Sequence, residues 1–142
     1  MKSSEIRDRL SARFGRKVGK GALLRDKDIS AYSEAELTED HSAAMKSMAE
    51  LIGMPPEKFQ QFYSPDEFDC DDFADLYSAI MRAISRKRSM GAGNKIGARP
   101  VYSCALERDH TMVLALTDEK EYFIEPQTGE ISDKGEKVLQ IY

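Results

Sequence analysis

At 142 residues, the chain is long enough for one domain around one hydrophobic core. Apolar residues make up 41% and charged residues 32%, a globular balance that excludes wholesale disorder. The net charge of −4 argues against a generic nucleic-acid binder, and no apolar run approaches the ~18 residues that would span a membrane.

Ile6, Leu10 and Phe14 recur at helical spacing, so residues 4–14 are expected to form a short amphipathic helix that Gly15 ends. The basic, Gly-rich run Arg16-Lys17-Val18-Gly19-Lys20-Gly21 reads as a solvated loop. Residues 1–30 are set apart as a flexible or accessory segment of a single domain spanning 1–142. Ser33-Glu34-Ala35-Glu36 is a capping box opening a helix whose apolar stripe includes Leu37, Ala44, Met48 and Leu51. His41 lies on that stripe and is read as a core or rim residue. Gly53 and Pro55-Pro56 supply the stop. Pro56 then starts a short helix through Phe62, and Ser64-Pro65-Asp66-Glu67 is a second capping-box pattern.

Asp69-Cys70-Asp71-Asp72-Phe73-Ala74 is the stretch on which the reading turns. Asp69 is a plausible N-cap, and Asp71 and Asp72 suit the first turn of a helix running to about Lys87. Cys70 falls at the helix tip, where unpaired backbone N–H groups favour a thiolate, although the neighbouring carboxylates oppose one. After a Gly-rich connection, strands are expected at Val101–Leu106, Thr111–Leu116 and Tyr122–Ile124, with a last edge strand at Val138–Tyr142. Helices before an antiparallel sheet define an α+β fold, a helical N-terminal half packed on a small sheet.

A turn centred between Asp118 and Glu119 sets Leu116 opposite Glu121 and His110 opposite Gln127, with Glu125 on the face of Gln127. Cys70, His110 and either Glu125 or Gln127 therefore form a candidate nucleophile, base and orienting group. Gln60 and Gln61 are weaker candidates for a second oxyanion donor. Zinc ligation by Cys70, Cys104 and His110 lacks the paired-ligand spacing such sites use. No metal and no organic cofactor is expected. The basic stretch from Arg82 to Arg99 lacks the aromatic interleaving of a single-strand binder.

Asp-Cys-Asp-Asp-Phe-Ala on a helix, His110 opening a strand and Tyr122-Phe123-Ile124-Glu125-Pro126-Gln127 on the next resemble the papain-like, transglutaminase-like cysteine peptidase superfamily. Small bacterial and phage proteins of that type are the nearer likeness. The resemblance covers about residues 66–131. It implies a papain-like fold, a Cys70–His110–Glu125 triad with Gln127 as the competing third member, and a peptide or protein substrate or ligand. It further implies thiol-dependent hydrolase chemistry, as peptidase, amidase or acyl transferase, in the cytoplasm of a bacterial host or in a phage virion. The alternative is a catalytically silent relative acting as a peptide- or protein-binding module. Neither a membrane nor a nucleic-acid partner is expected, and the sequence leaves enzyme activity, oligomeric state and substrate open.

Overall fold

The computed structural model describes residues 1–22, 24, 28–94 and 96–142. Five strands form one antiparallel sheet: β1 (Val101–Leu106), β2 (His110–Leu116), β3 (Glu121–Glu125), β4 (Glu130–Ser132) and β5 (Val138–Ile141), in the spatial order β4-β3-β2-β1-β5. Helices cover both faces. α3 (Glu34–Ile52) and α5 (Cys70–Gly91) close one core, through Leu37, Met48, Phe73, Tyr77 and Met81 against Val101, Val113, Ala115 and Ile124. Ile6 and Leu10 of α1 (Ser3–Phe14) close the other, against Leu106, Met112, Leu114, Leu116 and Phe123. Alternation along β2 thus sends odd-numbered residues toward α3 and α5, and even-numbered ones toward α1.

The expected register holds, with Leu116 opposite Glu121. So does the first capping box: Ser33 accepts from the Glu36 N–H at 3.1 Å, and the Glu36 carboxylate accepts from the Ser33 N–H at 3.0 Å. The 64–67 pattern does not cap a helix. Ser64 and Phe68 instead close a tight backbone turn by exchanging hydrogen bonds, each 2.9 Å long. Pro56–Lys58 form a 3-10 turn, and α4 occupies Phe59–Phe62.

The basic run expected as a loop is helix α2 (Arg16–Gly21). Val18 packs with Phe14 on the α1-side core, and tertiary burial overrides the two glycines. Gly19 is needed there, because a Cβ would lie 2.4 Å from the Ser11 backbone nitrogen of α1. β4 was not expected either, and α5 continues one turn past Lys87 to Gly91. Lys95 of the basic stretch lies outside the described residues. Among those described, no helix is long and apolar enough to cross a membrane.

His41 fastens three elements together. Its Nε2–H donates to the Gly129 carbonyl in the β3–β4 turn at 2.8 Å, so Nδ1 accepts from the Tyr77 hydroxyl of α5 at 2.6 Å. Burial holds its pKa below the usual imidazole value, against the opposing Gly129 bond. The fold therefore takes the neutral ring. Below the unfolded value of ~6.5 the unfolded chain gains a proton that the folded one resists, and stability falls. Between pH 7 and pH 5, His41→Gln is expected to remove a slope of at most about 1.4 kcal/mol per pH unit, read as the difference in denaturation profiles between variant and parent. Parallel profiles would show that the ring's burial has no energetic weight.

Candidate functional site

Cys70 is the first residue of α5 and is half-buried. The Asp69 side chain accepts from the Asp71 N–H at 3.0 Å, and the Asp72 carboxylate accepts from the Asp69 N–H at 3.0 Å. This reciprocal pair fixes the helix tip. The Asp71 carboxylate turns toward the sheet and accepts from the Thr111 hydroxyl of β2. Asp69, Cys70 and Asp71 bring three potential ligand atoms within 4.8 Å of one another, but both carboxylates are already used in fixing this tip.

His110 opens β2, and its Nε2 is hydrogen-bonded to the Glu125 carboxylate at the end of β3. The other Glu125 oxygen accepts from the Gln127 backbone N–H at 3.2 Å. Of the two competing third members, Glu125 reaches the ring. Gln127 is buried elsewhere, its amide oxygen accepting from Gln60 at 3.1 Å. That bond also occupies Gln60, one of the residues considered as an oxyanion donor.

Cys70 and His110 border the same cleft, about 380 Å³ in volume, with Tyr63, Asp109, Leu139 and Tyr142. No hydrogen bond joins the thiol to the ring. Strand parity accounts for this. His110 and Glu125 share the faces of Met112 and Phe123, which look toward α1, whereas α5 packs on the opposite face. Both residues nonetheless border the cleft beside the β1–β2 turn.

Cys104 lies within β1 in the α1-side core, where burial pushes its thiol up to about 12. It is therefore protonated and unreachable at neutral pH. A small alkylating reagent is expected to add once to the native chain, at Cys70, and not at all to Cys70→Ser. Intact mass checks this, and a second adduct under native conditions would show that Cys104 is accessible.

No family model matches the chain, and no curated protein resembles it in sequence. Solved structures do share its fold. A PSL1a–E64 complex matches with a TM-score of 0.65 and 16% identity over 99% of this chain and 49% of the other. The lectin of Polyporus squamosus, bound to the human-type influenza-binding epitope Neu5Acα2-6Galβ1-4GlcNAc, matches with a TM-score of 0.63 and 16% identity over 99% and 48%. The chain spans about half the length of the solved chains it matches.

These matches correct the assignment to the papain-like, transglutaminase-like cysteine peptidase superfamily, and with it the papain-like fold class. The architecture is an α+β domain with a five-stranded antiparallel sheet, and its solved neighbours include a lectin. Peptidase, transglutaminase and hydrolase readings lose their support with that assignment, as does the catalytic triad as a mark of the family. The physical reason is that a cysteine at a helix tip and a histidine opening a strand form a short pattern. Any helix laid on an antiparallel sheet can present it, and here the thiol and imidazole are not hydrogen-bonded.

Proposed function

We propose that the chain is a binding module that seats a polar ligand in the cleft between the tip of α5 and the β1–β2 turn, without turning it over. The observation that carries this reading is the cleft's arrangement. Its imidazole is tied to Glu125, its thiol has no hydrogen bond among the described residues, and Asp69, Asp71 and Asp109 line it with Tyr63 and Tyr142. Carboxylates accept hydrogen bonds and attract cations, while tyrosine rings and the exposed Leu139 cover apolar surface. The complexes of the two solved neighbours, one with E64 and one with a sialylated trisaccharide, support a ligand-binding role.

Charge selects among ligands. Three carboxylates disfavour an anionic sugar and favour a neutral or cationic partner, so a peptide segment presenting a lysine is the finer reading. Calorimetric titration with a lysine-rich peptide, with Galβ1-4GlcNAc and with Neu5Acα2-6Galβ1-4GlcNAc separates the classes. The peptide is expected to bind most tightly and to weaken in Asp109→Asn and Tyr142→Ala. Asp109 has φ +57, a conformation that asparagine tolerates. Cleavage of the peptide, or an E64 adduct on Cys70 that disappears in His110→Ala, would overturn the silent-module reading. Tightest binding by the sialylated sugar would overturn the charge argument.

A further inference from the structure

A second cavity, about 250 Å³ in volume, lies far from the cleft, between the C-terminal half of α5 and the segment Ile96–Arg99. From Cys70 to Arg86 the helix climbs 16 positions, about 24 Å along its axis at 1.5 Å per residue. Arg82, Ser85, Arg86 and Ser89 follow one another at spacings of three, one and three, so all four share the helix face that borders the cavity. Arg99 forms the facing wall, and none of the lining residues among those described is acidic.

The three guanidiniums are not equally committed. Arg99 is 7% exposed and donates to the Ser30 and Ala31 carbonyls and to the Glu36 carboxylate. Its Nε–H has no acceptor among the described residues, which is costly for a buried charged donor. Arg86 spends one N–H on the neutral Asn94 amide oxygen, at 2.7 Å. Arg82 makes no ion pair among the described residues. Two solvent-exposed cations with no ion pair among the described residues, and one buried cation whose Nε–H lacks an acceptor among them, thus border a single concavity of a chain whose net charge is −4. Clustered like charges raise the local potential and attract an anion, most strongly at low ionic strength. Guanidinium forks suit the oxygens of a tetrahedral anion.

We propose that this cavity binds a tetrahedral oxyanion, the phosphate or sulfate group of a small ligand. The proposal stands independently of the Cys70 cleft. The test is an amide-shift titration of the full chain at low ionic strength, with inorganic phosphate, inorganic sulfate and phenyl phosphate in separate arms. Saturable shifts are expected at residues 85–89 and 96–99, with those around Cys70 and His110 unmoved. Replacing both Arg82 and Arg86 with alanine is expected to weaken binding about tenfold or more, while amide positions elsewhere report an intact fold. Lys87→Ala, which removes a neighbouring charge outside the cavity, is expected to leave affinity unchanged. Tighter binding of phenyl phosphate would identify an organic ester as the ligand, and tighter binding of an inorganic ion would identify the free anion. Shifts that do not saturate, or an equal loss in Lys87→Ala, would overturn the proposal by showing diffuse electrostatics alone.

Discussion

Arg88→Ala is expected to lower stability by about 3–5 kcal/mol. Asp40 of α3 is fully buried, and one of its carboxylate oxygens accepts from Arg88 of α5; the other has no partner among the described residues. Glu39 lies 3.5 Å from the same guanidinium but is largely exposed, so it adds little. Removing Arg88 strands a buried carboxylate between two helices, without the cation that now neutralises it. The cost comes from that isolated charge more than from the lost attraction. Arg88→Met combined with Asp40→Leu, which removes both charges and keeps volume, is expected to recover most of the loss. Chemical denaturation of the parent, the single and the double variant measures this. An Arg88→Ala variant within about 0.5 kcal/mol of the parent, the range of ordinary surface substitutions, would show that water reaches Asp40.

The same pair shows where sequence reasoning stops. Asp40 sits one position from the apolar stripe of α3, and nothing in its neighbours marks it as buried. Its partner comes from a helix 48 residues away. Features set by local chemistry were legible: the Ser33 and Asp69 caps, the three strands of the central meander and the two-residue turn that fixes their register. Features decided by tertiary burial were not. α2 forms because Val18 has a core to enter, and β4 is three partly exposed residues held by β3.

The family assignment failed at a different point. β2 is buried on both faces from Thr111 to Leu116, so its sequence gives no alternation to say which face α5 covers. Without that, the register could place Glu125 beside His110 but could not say whether Cys70 approached the same side. The His110–Glu125 bond is the part of the candidate site that counting along strands could reach. The count that set Gln127 opposite His110 fails, because β3 ends at Glu125 and the chain turns there, carrying the Gln127 side chain to Gln60.

Phe73→Ala is expected to cost about 3–5 kcal/mol, as buried phenylalanine truncations do. Phe73 is fully buried, with its ring centroid 5.0 Å from Phe68, 5.9 Å from Phe59 and 6.4 Å from Phe62. Phe68 immediately precedes the Asp69 cap and Phe73 is the fourth residue of α5, so the pair is a hydrophobic staple that sets the angle at which the chain enters the helix. Cys70 lies between the two anchors. Truncation therefore removes more than core volume: it frees the tip that carries Asp69, Cys70 and Asp71 into the cleft. Phe73→Leu keeps most of the volume and is expected to cost less than half as much. At temperatures where both variants stay folded, Phe73→Ala is expected to weaken ligand binding at the cleft and to speed alkylation of Cys70, while Phe73→Leu leaves both near the parent. Equal alkylation rates in the two variants would mean that the polar caps alone hold the helix tip and that the staple contributes only to the core.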